Sequence, residues 1–256
     1  MGNDKNAQGT TAICGFDADA IKVRDQDLVD DLIGQMSFTR YLYLQATGRV
    51  PDETQASIVD AVMVTIMEHG LVPSAIVTRL THYGAPESFQ GAVAAGLLGV
   101  GDRYAGTAGE CGEILERVIA EPEQSRLDAA IREVRAYRDI RRPVPGFGHP
   151  IHAEYDPRVP RLIEVAEECG AAGTFIDAMS LLEKALFEVT GKELVTNISA
   201  AIAAVLGEAG IPATLMRGIV LTARCAGLVG HLHEEMQNPA AQALWEGAQT
   251  KVDYKP

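Results

Sequence analysis

PGFGHPIHAEYDPR, residues 145–158, is the stretch from which the rest of the chain is best read. Gly146 and Gly148 allow backbone conformations and a close ligand approach that a side chain would forbid, and they put His149 at the tip of a turn. Asp156 followed by Pro157 has the pattern of an N-cap and a first-turn proline, which predicts a helix from about Arg158 to Glu168. Arg158 then lies in a first helical turn, where free backbone N–H groups and the helix dipole already favour an anion. Its guanidinium can add a bidentate grip on a carboxylate. For GxGH alone, a Gly-Pro connector with a capping histidine would be the plainer reading; fourteen such residues together read as a site.

Working outward, the hydrophobic period is helical nearly throughout, and alternating β-branched segments are scarce. Leu28, Leu32 and Met36 are spaced four apart; Phe38, Tyr41 and Leu42 follow in a second segment that stops at Gly48. Pro51, Asp52 and Gln55 resemble a capping box, opening an apolar helix that carries Val62, Ile66 and His69. Pro86-Glu87 opens another, AVAAGLLGVG, whose small residues suit tight helix packing. Further helices are expected around 109–120, 122–139, 157–169, 174–190, 197–209 and 213–236. The expected class is all-α.

With 256 residues and 47% hydrophobic content, the chain can bury a large core in one or two domains. A formal charge of −13 argues against nucleic acid and anionic membrane as partners. No apolar run looks long enough to span a bilayer, and the first residues, MGNDKNAQGTTAI, lack an apolar signal segment, so a cytoplasmic protein is expected. Cys14, Cys111, Cys169 and Cys225 show no metal spacing and read as reduced thiols, with Cys111 and Cys225 better suited to packing than to nucleophilic catalysis. His231 and His233 with Glu234 and Glu235 hint at metal ligands, but HxH on a helix turns the two rings to different faces, so no metal is expected. His82 in RLTHYGAP is expected just before a helix, as a capping or surface residue. The GVGDRYAG glycines follow no strand, which removes a dinucleotide-binding reading.

Taken in order, these segments resemble the citrate synthase superfamily, and within it the short citryl-CoA lyase-like members and the C-terminal lyase portion of ATP-citrate lyase. MSFTRYLYLQATGRVPDETQ at 36–55 is similar to the family's N-terminal helix pair, EHG at 68–70 to its first histidine motif, and LLGVGDRYAG at 97–106 to its central glycine motif. PGFGHPIHAEYDPR is similar to the second histidine motif, VTNISAAIA at 195–203 to the segment holding the family's aspartate, and GIVLTARCAGLVGHLHEE at 218–235 to its late arginine helix, in which His231 matches a family position.

The resemblance implies a mostly helical homodimer, with a large domain of residues 1–104 and 206–256 and a small one of 105–205 closing over the active-site cleft. It implies CoA as part of the substrate and no permanently bound cofactor. His69 and His149 would bind the oxo-acid or hydroxy-acid portion, and Arg158 and Arg224 its carboxylates; Pro145, Gly146, Phe147, Gly148 and His152 would lie against CoA. The implied reaction is retro-Claisen cleavage, or the reverse condensation, of a carboxylated 3-hydroxy-acyl-CoA, with citryl-CoA giving acetyl-CoA and oxaloacetate as the first candidate.

Departures from the family pattern fall at the chemical centre. Where most citrate synthases have a histidine that polarises the thioester, this chain has Tyr104; ATP-citrate lyase carries an aromatic residue there too, and a tyrosine can donate a hydrogen bond or simply pack. Where the family has its enolising aspartate, this chain has Ser199, and a hydroxyl is no general base near neutral pH without activation. Pro150 replaces an arginine, leaving one CoA phosphate contact to His152, and the tail VDYKP lacks the arginine that long citrate synthases lend to the partner subunit. Ordinary citrate synthesis is therefore not expected. Two alternatives stand beside the citryl-CoA lyase reading: a lyase or synthase for another 3-hydroxy-acyl-CoA, and a catalytically degenerate homologue that binds a CoA thioester or carboxylate in a regulatory role.

Overall fold

The computed structural model describes residues 9–101, 107–148 and 155–255. The chain divides into two compact units, Met1–Ala56 and Ser57–Pro256.

In the first unit, β1 (Cys14–Phe16), β2 (Ile21–Val23) and β3 (Gln26–Asp27) form an antiparallel sheet in that order, with Cys14 opposite Val23 and Lys22 opposite Asp27. This sheet is a departure from the helical reading. Strands of two or three residues are too short to show an alternating pattern, and their turn is made by Asp17, whose Oδ1 accepts the N–H groups of Asp19 and Ala20 at 2.9 Å each. Leu28 and Leu32 lie in a single π-helical turn, Leu28–Leu32, rather than in a longer α-helix. The turn is capped by Asp27, which accepts from Val29 N–H at 2.9 Å. Leu32 then packs with Val23 and Leu44, and Leu28, Met36 and Tyr41 flank them. Helix α1 (Phe38–Thr47) starts at the Ser37 cap and stops at Gly48, whose φ of 75° favours glycine.

Helix α2 (Glu53–Met67) opens with the expected capping box. Gln55 N–H donates to the Asp52 carboxylate at 2.7 Å, and the Gln55 side-chain oxygen accepts from Asp52 N–H at 3.1 Å. The second unit continues with α3 (Pro73–Gly84), α4 (Phe89–Leu98), α5 (Thr107–Ile119), α6 (Arg126–Asp139), α7 (Arg158–Glu168), α8 (Thr174–Thr190), α9 (Ile198–Glu208), α10 (Ala213–Gln237) and α11 (Ala241–Lys251). His82 sits in the last turn of α3 and so precedes α4, as expected, but from within a helix rather than from a loop.

Helix α9 is apolar all round and rich in alanine, and a helix with no polar face must be enclosed. Ile198 and Ala200 through Gly207 are all buried, and α5, α7, α8 and α10 pack upon it. Small residues also set the α3–α4 contact, where a Cβ on Gly96 would lie 2.9 Å from the Ser74 carbonyl oxygen. Contrary to the expectation from the sequence, α10 is long and apolar enough to cross a membrane by length and composition. Its buried side chains, among them Met216, Ile219, Leu228 and Leu232, pack within the second unit against α3, α4, α5 and α9.

Carboxylates from other helices cap three of the helix starts. Glu208 accepts from the N–H groups of Gly173, Phe175 and Ile176 ahead of and within α8; Glu116 accepts from Ala213 N–H at 2.8 Å at α10; Glu235 accepts from Ala240 and Ala241 N–H at α11. Each satisfies backbone donors that a helix leaves open and places a negative charge at a positive dipole end.

Candidate active site

Two clusters in the second unit gather most of the described candidate residues. His149, His152 and Tyr104 lie outside the described residues.

The first cluster is built on the glycine turn. Phe147 pairs with Thr196 in an isolated antiparallel bridge, Gly148 N–H donates to the Val195 carbonyl at 2.7 Å, and Asn197 N–H donates to the Gly146 carbonyl at 3.0 Å. Asn197 completes the strap from both ends of its amide: Nδ2 donates to the Gly148 carbonyl at 2.7 Å, and Oδ1 caps α9 by accepting from Ser199 N–H at 2.9 Å. Ser199 is thus in the first turn of α9, half-buried, and tied through Asn197 to the residue preceding His149. Gly146 has φ +89°, and a Cβ there would lie 2.7 Å from Ala200 Cβ and 3.0 Å from Cys111 Sγ, so only glycine fits. Pro145, Gly146 and Phe147 are buried and Gly148 half-buried, so the side chain of Phe147 serves the core.

Asp156 ties the next helix to the same place. Its carboxylate, 1% exposed, accepts from Arg158 Nε at 2.9 Å and Nη2 at 2.8 Å, from Arg158 N–H at 3.2 Å, and from Ile198 N–H at 3.2 Å. It serves the starts of both α7 and α9, doing the capping expected of it although Pro157 is the residue flanking the helix. The bidentate grip of Arg158, expected on a substrate carboxylate, is made here with Asp156, because the side chain read only as a cap is also the nearest buried charge.

The second cluster lies where α10 meets the end of α2. Arg224 is buried, and its Nη1 donates to the carbonyls of Met67 at 2.7 Å and Ile66 at 3.4 Å. Its Nη2 is buried with no hydrogen-bond partner among the described residues. Burial lowers the pKa of this guanidinium, and an unpartnered buried charged donor is costly until an acceptor arrives. The close approach depends on Gly227, one turn along α10, where a Cβ would lie 2.1 Å from the Met67 carbonyl oxygen.

His69, half-buried, follows directly. Oε1 of Glu68 accepts from His69 N–H at 2.8 Å, from Gly70 N–H at 2.7 Å, and meets His231 Nε2 at 3.0 Å. Burial pushes the Glu68 pKa up, but the N–H of His69, His231 and the N–H of Gly70 together bring it below the ordinary value. Behind His231 stands Arg79, 2% exposed, which donates from Nε to His231 Nδ1 at 3.1 Å, from Nη1 to Glu235 at 2.7 Å, and pairs with Glu234. A cavity of about 190 Å3 is lined here by Gly70, Leu71, Arg79, His231, Glu234 and neighbouring residues. Among the described residues no group of three His, Cys, Asp or Glu side chains could hold a metal ion.

Asp156, Glu68 and Arg79 were not singled out as site residues from sequence. An arginine within the apolar run AIVTRLT, which can be buried only if paired, was the available signal for Arg79.

Residues 11–245 match the family model described as "Citrate synthase, C-terminal domain", and the chain belongs to the citrate synthase family. It is similar to citryl-CoA lyase from Hydrogenobacter thermophilus, with a TM-score of 0.84 and 28% identity over 97% of this chain and 94% of that one. It shares its fold with ATP citrate lyase from Methanothrix soehngenii, solved with citrate and coenzyme A, at a TM-score of 0.78 and 18% identity over 98% of this chain and 42% of that one. Putative citrate synthase 2 of Mycobacterium tuberculosis is 28% identical over 192 residues, 72% of this chain and 49% of that protein. The chain thus spans about half the length of the curated relatives it matches.

Proposed function

We propose that this chain is a citryl-CoA lyase-like carbon–carbon lyase that cleaves citryl-CoA to acetyl-CoA and oxaloacetate. The observation that carries the reading is the overlap, nearly end to end, with the citryl-CoA lyase of Hydrogenobacter thermophilus. The Nη2 of Arg224, without a partner among the described residues and next to the His69 turn, supports it as a place for a substrate carboxylate.

In the proposed cleavage a base, His149, takes the proton of the substrate hydroxyl. The oxygen becomes the carbonyl of oxaloacetate as the carbon–carbon bond breaks, and the bonding electron pair passes to the thioester as an enolate, which takes a proton from water, in place of the family's carboxylic acid, to become acetyl-CoA. His69 and Arg224 hold the hydroxy-acid portion, Arg158 offers Nη1, the guanidinium nitrogen not bonded to Asp156, to a second carboxylate, and Tyr104 donates to the thioester oxygen. Pro145, Gly146, Phe147, Gly148 and His152 form the CoA side, with buried Phe147 contributing through its backbone. Synthesis of citrate from acetyl-CoA needs a base to form that enolate, and Ser199 supplies none. The reading extends to a cytoplasmic homodimer with no permanently bound cofactor, in which residues 105–205 close over residues 1–104 and 206–256.

One observation favours a second reading, a binding homologue without turnover: Ser199 stands where the family has its carboxylate, while Asp156 occupies Arg158. A coupled assay with citryl-CoA decides between them. The lyase reading predicts release of acetyl-CoA and oxaloacetate by the parent, with turnover about a hundred- to ten-thousand-fold lower in His149→Ala. Citrate binding without any release supports the second reading, and activity gained only in Ser199→Asp means that the scaffold is intact and that its native substrate, or its role, is something else.

A further inference from the structure

The Glu68, His231 and Arg79 chain has an order that goes beyond holding two helices together. Arg79 can only donate, and it donates Nε–H to His231 Nδ1, with Nη2 also 2.9 Å from that nitrogen. Nδ1 must therefore be the unprotonated nitrogen, and the ring proton sits on Nε2, aimed at Glu68 Oε1 at 3.0 Å. Arg79 is itself fixed by Glu235, whose carboxylate is tied to the start of α11 through Ala240 and Ala241 N–H. Glu68, the fourth member, sends nothing further inward. The same Oε1 instead accepts both N–H groups of the turn that carries His69. Its Oε2 lies along α10 at Gly227, 3.3 Å from where a Cβ would be. The charged and titratable groups around His231 are Glu68 from the end of α2, Arg79 from α3, and Glu234 and Glu235 from α10.

We infer that Glu68 is a positioning residue: anchored through the Nε2–H tautomer of His231 by buried Arg79, it fixes the 68–70 turn and so aims His69 at the hydroxy-acid portion of the substrate. This rests on the reading of His69 and Arg224 as the carboxylate-binding side of the site. The hydrogen-bond pattern alone would also suit a purely structural clamp, but a clamp has no need to converge three donors on one oxygen beside a binding histidine. A group that orients a ligand-binding side chain acts chiefly on binding, because the interaction exists before the transition state is reached.

The test compares Glu68→Ala with Glu68→Gln, whose amide oxygen can accept the same donors. Citrate and oxaloacetate binding are measured by calorimetry, KM and kcat with citryl-CoA, and amide hydrogen exchange at His69 and Gly70. Glu68→Ala is expected to weaken citrate binding and raise KM at least tenfold, with a smaller change in kcat, and Glu68→Gln to recover most of that loss. Long-range proton–nitrogen NMR, with His231 identified by its disappearance in His231→Gln, is expected to show Nδ1 bare and Nε2 protonated at neutral pH. Citrate affinity and KM within twofold of the parent in Glu68→Ala, or a proton on Nδ1, overturns the inference. If the parent cleaves no citryl-CoA, the lyase reading fails while citrate affinity still judges Glu68. If the parent binds neither citrate nor oxaloacetate, exchange decides: amides of His69 and Gly70 protected in the parent and in Glu68→Gln but open in Glu68→Ala support the positioning role, and equal exchange in all three refutes it.

Discussion

Replacing Gly146 by alanine should damage this protein far more than the same change two residues on. Gly146 and Gly148 have nearly the same left-handed backbone, φ +89° and +86°, so both substitutions carry the cost of placing a side chain there, about 1–2 kcal/mol. Their surroundings differ. At Gly146 the new methyl would lie 2.7 Å from Ala200 Cβ and 3.0 Å from Cys111 Sγ, whereas at Gly148 no atom of the described residues lies within 4 Å. Ala200 belongs to the enclosed helix α9 and Cys111 is fully buried, so neither can move aside easily. Overpacking of that kind adds about 1–3 kcal/mol. Gly146→Ala should therefore lose roughly 2–5 kcal/mol in all, which for a chain of this size is a drop in melting temperature of roughly 4–20 °C. Circular dichroism melts of the parent and both variants measure it. The strap from Gly146 to Asn197 leads into His149, so citryl-CoA cleavage by Gly146→Ala should fall as well. Equal melting shifts in the two variants, or a shift under 2 °C in Gly146→Ala, would refute the claim that this turn is wedged against α5 and α9.

Glu235→Ala removes one partner of a buried ion pair and uncaps α11 together; because Arg79 keeps Glu234 and His231, a loss near the low end for such pairs, about 3 kcal/mol, is expected from urea unfolding at pH 7. Burial raises the Glu235 pKa, but Ala241 N–H, Arg79 and Ala240 N–H bring it below its ordinary 4.5. A carboxylate with a lowered folded pKa stabilises fully above its unfolded value and loses that contribution as pH falls through the folded value, so the gap between parent and variant should persist at neutral pH and close below about pH 4.5; a gap that widens on acidification contradicts the assignment. Burial pushes the Cys111 thiol up to about 12, so at pH 8 a thiol reagent should label exposed Cys14 quickly and leave Cys111 untouched until the protein is denatured, as mass spectrometry of labelled peptides would show.

Local chemistry was the legible part of this chain. The capping box at Asp52 and Gln55, the stop at Gly48 and the start of α7 at Arg158 each depend on residues within four positions of one another, and each is found in place. The tight α3–α4 contact followed from the small residues around Gly96 for the same reason. What stayed hidden depends on separation. Asn197 meets the glycine turn across 49 positions, and Arg79 meets His231 across 152, distances over which no periodicity carries information. Asp156 misled in a subtler way: its sequence neighbours announce a helix cap, and that reading was right as far as it went. Only the fold shows that the same carboxylate also reaches Arg158 and the start of α9.

The central claim is that this chain breaks a carbon–carbon bond in a CoA thioester, and the most direct measurement is the release of acetyl-CoA and oxaloacetate from citryl-CoA by the purified parent, followed beside Arg224→Met. The account predicts equal amounts of the two products from the parent. It also predicts a rate at least a hundredfold lower in Arg224→Met, which keeps the bulk of the buried side chain and removes the donor at Nη2 together with the Nη1 bonds to Met67 and Ile66, provided the melting temperature shows the variant folded. Absence of both products from the parent, or undiminished cleavage by Arg224→Met, would contradict it.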